Sequence, residues 1–279
     1  MSTILLDGKK LSEELLTKLK NNFSEISKDY KLIVLTVGDD PASKVYVRNK
    51  IRACDTDGIQ HEHITIDENI EQQEFVDLLL KLMEDNPKNT GIILQLPAPA
   101  HLADIFDKVI EGRFGVDGFD FTNRTLLYTN ENPFYYPATP RGIMLLLNSH
   151  NIEIEGKHVV IIGRSEIVGR PLSQMMLKEN ATVTICHSKT QNLSDITKTA
   201  DILVVAVGKP KFINETYIKD GVTIIDVGIN KIDDGLCGDV DFDSVMSKCH
   251  AITPVPGGVG PMTVCSLIEN ILLTSMYSE

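Results

Sequence analysis

The feature that most constrains the fold is a short apolar segment that runs directly into a glycine. Residues 158–162 are followed by Gly163, and a helix-forming stretch begins near Gly169. Where a strand runs into a glycine turn and a helix follows the turn, free backbone N–H groups and the positive end of the helix dipole point at one spot. The sequence therefore predicts a phosphate-binding turn and a nucleotide cofactor. The alternative is an ordinary tight turn between a strand and a helix.

Length and charge limit the class of protein. A chain of 279 residues exceeds the usual size of one domain, so we expect two. Its net charge of −12 argues against a nucleic-acid binder, which normally carries a basic face. No apolar run approaches the roughly 18 residues of a membrane span. The opening residues, MSTILLDGKKLSEELL, lack the features of a secretory signal, so we expect a cytoplasmic protein without membrane or nucleic-acid partners.

The cysteines indicate neither disulfides nor a metal site. The chain has five cysteines, which are widely spaced, and it contains no CxxC or HExxH motif. We expect free buried thiols and no bound metal.

Both halves of the sequence alternate between short apolar strands and helices, which predicts an α/β fold with parallel sheets. Residues 111–141 are expected to be irregular, and the domain change is expected near residues 137–142. The expected strands are 32–37, 63–66, 91–96, 158–162, 181–186, 202–207 and 222–227. The expected helices are 9–23, 41–57 (capped by Asp40), 70–83, 143–148, 170–179, 193–199 and 263–276.

The residues around the glycine turn favour NADP over NAD. The usual dinucleotide fingerprint is GxGxxG, whereas here Ser165 stands at the second glycine position and the spacing to Gly169 is longer. An NAD site normally has Asp or Glu after the next strand to bind the ribose 2′-hydroxyl, but residues 187–190 read His-Ser-Lys-Thr. Ser188 and Arg164 can instead hydrogen-bond a 2′-phosphate. The alternative for Arg164 is a solvated loop charge.

The expected helix at 41–57 carries a lysine where an apolar residue is expected. At 100° per residue, Tyr46, Val47 and Cys54 fall within about 60° of Lys50, on the face expected to be buried. The other basic residues of this helix fall on the far side: Lys44, Arg48 and Arg52. A desolvated amine has a lowered pKa and can act as an acid or base near neutrality. The alternative is a lysine whose stem covers apolar surface while its head reaches water.

Other polar residues stand at a strand end or in loops. Gln95 lies at the end of the expected strand 91–96, and the carboxyl ends of parallel strands line the binding crevice of α/β sheets. Asp117, in a Val-Asp-Gly-Phe loop, is either a functional carboxylate or a turn former. Residues 253–263 contain three prolines and three glycines. Such a segment either brings bare backbone close to a flat ligand or simply connects to the last helix.

These features belong to a series of motifs that extends over nearly the whole chain. In order, the motifs are SKVYVRNKIRAC, LQLP, VDGF, PATPRG, GRSEIVGRP, NATVTICHSKT, DILVVAVGKP, DVGIN and ITPVPGGVGPMT. Their order and spacing resemble the bifunctional methylenetetrahydrofolate dehydrogenase/cyclohydrolase family. The resemblance implies two reactions: NADP-dependent oxidation of 5,10-methylenetetrahydrofolate to the 5,10-methenyl cation, and hydrolysis of that cation to 10-formyltetrahydrofolate.

The resemblance also implies roles for individual residues. Lys50 would be the acid/base group of the hydrolysis, tuned by Gln95, while Tyr46 packs on the aromatic middle of the folate and Asp117 holds the pterin edge. The implied folate-binding residues are Tyr46, Lys50, Gln95, Leu96, Pro97, Asp117, Pro256, Gly257, Gly258 and Val259. The implied NADP-binding residues are Gly163, Arg164, Ser165, Ser188 and Ile229.

The family architecture implies a folate-binding domain at residues 1–141 and a Rossmann-type NADP domain at 142–262. The last helix, 263–279, would cross back to the first domain, and the protein would form a homodimer through its cofactor domain. Three segments depart from the family pattern. EGRFG precedes Asp117 where the family commonly has a Pro-x-Lys-Asp run, Asp120-Phe121 stands where His-Pro is frequent, and PATP replaces the commoner PCTP. The departures leave substrate details and relative rates open.

Three alternatives remain at this point. The first is a dehydrogenase of the same fold that lacks cyclohydrolase activity. The second is an NADP enzyme acting on another substrate, such as a shikimate-type dehydrogenase, although the Tyr46/Lys50 spacing together with PVPGGVGP argues against it. The third is a non-catalytic nucleotide-sensing protein, which would need no lysine on an apolar helix face.

Overall fold

The structure is a computed structural model that describes residues 3–23, 29–38, 41–86, 89–233 and 235–274, without the side chains of residues 41–43, 45 and 46. The chain divides into two compact units. Unit A consists of Leu15–Ala138 and the chain from Val264, and unit B consists of the chain up to Glu14 and Thr139–Thr263.

The order of helices and strands alternates as the sequence predicts. The elements are β1 (Ile4–Leu5), α1 (Gly8–Phe23), β2 (Lys31–Val37), α2 (Pro41–Asp57), β3 (Gln60–Ile66), α3 (Gln72–Asp85), β4 (Thr90–Leu94), α4 (Ala100–Val109), α5 (Phe121–Tyr128), α6 (Ala138–Ser149), β5 (His158–Ile162), α7 (Gly169–Lys178), β6 (Thr182–Cys186), α8 (Leu193–Thr197), β7 (Ile202–Val205), β8 (Thr223–Asp226), β9 (Asn230–Ile232), β10 (Gly235–Cys237), α9 (Phe242–Val245), β11 (Ala251–Ile252) and α10 (Val259–Leu273).

Unit A is built around a three-stranded parallel sheet in the order β3-β2-β4. Strand β2 is buried on both faces, so its alternate residues enter two different cores. Leu32 and Val34 pack with apolar residues of α2 and α10, whereas Ile33 and Leu35 pack with those of α3 and α4. The carboxyl ends of β2 and β4 therefore lie between two helical layers.

Unit B is built around a six-stranded sheet in the order β1-β11-β8-β7-β5-β6. Every neighbouring pair in this sheet is parallel. Strands β5, β7 and β8 occupy its centre, and their buried residues form a core that includes Val160, Leu203 and Ile224. The prediction of a two-domain α/β fold with parallel sheets is confirmed.

Two expectations about the ends of the chain differ from the structure. Residues up to Glu14 were expected in the folate-binding domain but belong to unit B, because Ile4 and Leu5 pair in parallel with Ala251 and Ile252. Helix α10 begins at Val259 rather than 263, and its apolar residues from 267 onward pack in the core of unit A. The expected continuation of the helix to residues 275–279 lies outside the described residues.

The segment at 111–141 is less irregular than expected, because helix α5 occupies its middle. Asp120 caps this helix: its carboxylate accepts the backbone N–H of Asn123 at 3.0 Å. Asp is a favoured N-cap residue, so Asp120 indicated the start of a helix that the sequence analysis did not predict.

Candidate active site

Helix α2 carries Lys50 on the side of the helix that faces the core of unit A. Val47 and Cys54, which flank this position by helical spacing, are buried, whereas Arg48 and Arg52 are exposed. Lys50 itself is partly buried. The uneven distribution of charge around the helix therefore agrees with the helical-wheel prediction. The side chain of Tyr46, predicted to flank Lys50, and the predicted cap Asp40 lie outside what the structure describes.

The amine of Lys50 has a specific partner. Its Nζ donates a hydrogen bond to Gln95 Oε1 at 2.8 Å. Gln95, only 8% exposed, follows directly after β4, and its backbone N–H donates to Leu35 O at 2.8 Å. Its amide nitrogen donates to Leu96 O at 2.7 Å, which leaves the amide oxygen as the group that faces the amine. The strand end thus fixes the position of Lys50, and the amine does not extend freely into water.

The third member of this cluster is Asp117, in the loop between α4 and α5. Its Oδ1 accepts the backbone N–H of Phe119 at 3.3 Å, so the residue also forms the turn that was the alternative interpretation. The two interpretations are compatible, because one carboxylate oxygen closes the turn while the charge acts on its neighbours. Asn270 of α10 donates to the carbonyl oxygens of Val116, in the same loop, at 2.8 Å and of Tyr136 at 2.9 Å.

Burial shifts the pKa of both charged groups in opposite directions. Desolvation lowers the pKa of Lys50, and the negative charge of Asp117 opposes this shift. Desolvation raises the pKa of Asp117 to about 7, while the Phe119 N–H and the charge of Lys50 act in the opposite direction. The cluster therefore holds an amine that gives up its proton more readily than an ordinary lysine. Such a group can serve as a general base.

The glycine turn of unit B has the predicted strand–turn–helix geometry. Gly163 follows β5 with φ of +129°, and a Cβ at this position would overlap the carbonyl oxygen of Ala206. Only glycine fits this backbone conformation and this close approach. Ser165 Oγ accepts the backbone N–H of Val168 at 3.2 Å and so shapes the entry to α7, while Arg164 is exposed.

The remaining predicted cofactor residues lie beyond the carboxyl ends of two other strands of the same sheet, β6 and β8. Ser188 is exposed in the turn after β6, which the His187 N–H and Thr190 Oγ1 close at 2.9 Å. Ile229, which follows β8, is 52% exposed. An exposed apolar surface, hydroxyl groups and a cation at one sheet edge fit the chemistry of a dinucleotide.

The segment at 256–259 lies in unit B and leads into α10. Gly257 O accepts the backbone N–H of Lys9 at 2.8 Å, so this segment is held to the first turn of α1. Pro256 is exposed, and Val259 is the first residue of α10. In unit A, Leu96 and Pro97 are exposed beside Gln95.

The structure thus brings Lys50, Gln95 and Asp117 into one cluster in unit A and collects the predicted cofactor residues at one sheet edge of unit B. Two supporting groups were missed by the sequence interpretation: Asn270, and a pair of buried aspartates, Asp226 and Asp239. The available signals were an asparagine in a largely apolar helix and, for Asp226, an aspartate that ends an apolar strand. Among the described residues, no three His, Cys, Asp or Glu side chains are placed to hold a metal ion.

Comparison with known proteins identifies the family. A family model described as the tetrahydrofolate dehydrogenase/cyclohydrolase catalytic domain matches residues 6–111, and the model of its NAD(P)-binding domain matches residues 137–278. The chain belongs to the tetrahydrofolate dehydrogenase/cyclohydrolase family. The resemblance stated from the motifs is thereby confirmed. The alternatives of an NADP enzyme acting on another substrate and of a nucleotide-sensing protein are set aside.

Full-length relatives support the same assignment. The chain is 49% identical to "Bifunctional protein FolD" of Agathobacter rectalis over 273 residues, which cover 95% of this chain and 96% of the relative. It is similar to the crystal structure of the bifunctional enzyme FolD from Campylobacter jejuni, with a TM-score of 0.93, 41% identity and full coverage of both chains. A Trypanosoma brucei structure described as FolD complexed with NADP cofactor and inhibitor has a TM-score of 0.91 and 31% identity, and the match covers 100% of this chain and 99% of that one.

No helix within the described part of the chain has the length and apolar character needed to cross a membrane.

Proposed function

We propose that this protein oxidises 5,10-methylenetetrahydrofolate with NADP and hydrolyses the resulting 5,10-methenyl cation to 10-formyltetrahydrofolate. Family membership supports both activities. The observation that carries the proposal is the hydrogen bond between the partly buried Lys50 amine and Gln95 Oε1, next to Asp117. A lysine held in this way provides the base that hydrolysis of a cation requires.

In the hydrolytic half of the reaction, water must lose a proton as it attacks the bridging carbon of the cation. The new C–O bond forms at that carbon and gives a carbinolamine. Its hydroxyl then loses a proton to become the formyl carbonyl, while one of the two C–N bonds breaks and the departing nitrogen gains a proton. Lys50, as the neutral amine, is proposed to take the proton from water. Gln95 orients the amine because its oxygen accepts one N–H, which leaves the nitrogen lone pair free to face the substrate.

In the oxidative half, the requirement is geometry rather than a strong base. NADP, when bound, accepts a hydride from the methylene carbon of the folate. The chain contributes Gly163, Arg164, Ser165, Ser188 and Ile229 as the proposed binding residues for this cofactor. The roles proposed for Pro256–Val259, Leu96, Pro97 and Tyr46 in folate binding rest on the family motifs and remain predictions.

A direct assay tests the two activities together. The protein is mixed with 5,10-methylenetetrahydrofolate and NADP, and the absorbance of reduced NADP and of the methenyl product is followed. We expect reduction of NADP and decay of the methenyl band faster than in buffer alone. Reduction of NADP with a methenyl band that decays only at the rate seen in buffer would indicate a dehydrogenase that lacks cyclohydrolase activity. Failure to reduce NADP would contradict the proposal.

The preference for NADP over NAD is proposed to rest on Arg164 and Ser188. Charged hydrogen bonds contribute about 1.5–3 kcal/mol, so Arg164→Ala should lower the ratio of kcat/KM for NADP to that for NAD by roughly 10- to 100-fold. Ser188→Ala should have a smaller effect in the same direction. Arg170→Ala is the matched control, because Arg170 is exposed near the same turn but pairs with Glu166 at 2.9 Å. An unchanged ratio in Arg164→Ala would rule out this assignment.

We further propose that the protein is a homodimer through unit B. Strand β6 is the last strand of the six-stranded sheet, and no other strand in the described part of the chain pairs with its outer edge. Ile185 of β6 and Leu177 of the preceding helix are exposed apolar residues on consecutive elements. In a two-fold interface each substitution occurs twice, so Ile185→Lys should give a monomer by light scattering. Leu236→Lys, at an exposed apolar position on β10, is the control and should leave the mass of the dimer unchanged. An unmodified protein with the mass of a monomer would contradict the proposal.

A further inference from the structure

Two aspartates that the proposed reaction does not use are buried beneath the cofactor edge of unit B. Asp226 is the last residue of β8 and is 4% exposed, and Asp239, which follows β10, is fully buried. Carboxylates are rarely buried without strong compensating interactions. The hydrogen bonds of this pair therefore indicate what the two side chains do.

The carboxylate of Asp239 accepts hydrogen bonds from three consecutive backbone N–H groups. Its Oδ2 accepts those of Val207 at 2.6 Å and Gly208 at 2.9 Å, and its Oδ1 accepts that of Lys209 at 2.7 Å. Oδ1 also accepts the side-chain amide of Asn230 at 2.8 Å. One buried charge thus holds the loop after β7 and the residue that follows Ile229.

Asp226 in turn holds the backbone around Asp239. Its carboxylate accepts the backbone N–H groups of Gly228 at 3.1 Å, Asp239 at 2.9 Å and Val240 at 2.9 Å. Burial and the charge of Asp239 raise the pKa of Asp226 to about 7, against the effect of these donors. The charge of Asp239 makes burial of Asp226 less favourable, and the hydrogen bonds to both carboxylates offset that cost.

The approach of each carboxylate also requires a glycine. A Cβ on Gly228 would overlap the carboxylate of Asp239, and a Cβ on Gly238 would overlap that of Asp226. The two carboxylates and the two glycines therefore form one tightly packed unit, in which a side chain at either glycine would displace a carboxylate.

The loops held by this unit adjoin the glycine turn. Strand β7 is the neighbour of β5 in the sheet, and the Ala206 N–H donates to Ile162 O at 2.8 Å. The carbonyl of Ala206 lies against Gly163, and residues 207–209 follow at once. After the next strand, β8, Ile229 lies between Gly228, whose N–H donates to Asp226, and Asn230, whose side chain donates to Asp239.

We propose that Asp239 is a positioning residue for NADP: its carboxylate fixes the loop at 207–209 and, through Asn230, the exposed side chain of Ile229. This inference rests on the proposed function, because it assumes that the edge of the sheet binds NADP. Asp239 itself does not touch the cofactor. It acts by keeping two loops in the one arrangement that accepts the ligand.

Asp239→Asn tests the proposal, because an amide keeps the shape but replaces one acceptor oxygen with a donor that faces N–H groups. We expect the Kd for NADP, measured by equilibrium titration, to rise at least tenfold. Hydrolysis of added methenyltetrahydrofolate does not use NADP, so we expect its rate to stay within twofold of the unmodified protein. Amide hydrogen exchange should become faster at residues 207–209 while the amides of β7 remain protected. Asp243→Asn, which removes an exposed carboxylate from the same segment, should change none of these quantities.

A milder variant guards against misfolding of Asp239→Asn. Asn230→Ala removes one of the four donors and leaves the charge in place, so we expect about a threefold rise in the Kd for NADP. An unchanged Kd in Asn230→Ala and in a folded Asp239→Asn would overturn the proposal, as would an equal loss of NADP binding and hydrolysis. If the unmodified protein binds NADP but catalyses neither reaction, the proposed function fails, while the titration and exchange measurements still decide the role of Asp239.

Discussion

Replacing Lys50 with methionine is expected to remove the hydrolysis of the methenyl cation while hydride transfer persists. Methionine keeps most of the length and apolar character of the lysine stem, so we expect the variant to fold. It removes the amine that donates to Gln95 Oε1 at 2.8 Å. General-base catalysis contributes roughly 10²- to 10⁴-fold, so we expect the cyclohydrolase rate to fall about 10³-fold.

The dehydrogenase rate should fall by less than about tenfold in the same variant, because hydride transfer depends on the geometry of cofactor and substrate. Both rates are measured on one preparation, with thermal denaturation to show that the variant is folded. Arg48→Met is the matched control: it lies two residues away on the same helix but is exposed, and we expect both rates to be unchanged. Equal losses of the two activities in a folded Lys50→Met would contradict the separate roles.

This contrast within α2 is also where the sequence was most informative. A regular helix repeats every 3.6 residues, so the sequence alone places Lys50 on the same helix face as apolar residues. The placement of Gln95 followed from a similar local rule, since a polar residue at the end of a parallel strand lies at the edge where ligands bind. Local periodicity and strand ends were therefore sufficient to locate the centre of the candidate site.

Features that depend on distant parts of the chain could not be predicted in this way. Strand β1 has only two residues and gains its place by pairing with Ala251 and Ile252, far along the sequence. The three N–H groups that meet on Asp239 come from a loop about thirty residues earlier, and Asn270 reaches the loop beside Asp117 from α10. Nothing in the local pattern around these residues specifies their partners.

Lys50 and Asp117 each change the pKa of the other. Burial raises the pKa of Asp117 to about 7, and the carboxyl groups of Asp120 and Asp107 add to that effect. The charge of Asp117 in turn counteracts the lowering of the Lys50 pKa by burial. A change in either residue must therefore appear in the pH dependence of the reaction assigned to the other.

Asp117→Asn is expected to impair both activities through folate binding. The carboxylate is proposed to accept hydrogen bonds from the pterin edge, and an amide can supply only one acceptor oxygen. Loss of a charged hydrogen bond costs about 1.5–3 kcal/mol, so kcat/KM for the folate should fall roughly 10- to 100-fold in each reaction. Asp104→Asn, an exposed aspartate of α4 that pairs with Lys108 at 2.7 Å, is the control and should leave both values unchanged.

The pH profile of the residual hydrolysis gives the sharper test. Neutral Lys50 is the active form, so the rate rises with pH as the amine loses its proton. Without the negative charge of Asp117, the pKa of Lys50 falls further, and the acid limb of kcat should move to lower pH. The limb of kcat/KM that reflects protonation of Asp117, expected as the pH falls through about 7, should disappear. A kcat limb that stays in place or moves to higher pH would contradict the proposed effect of Asp117 on Lys50, because removal of a nearby negative charge lowers the pKa of an amine.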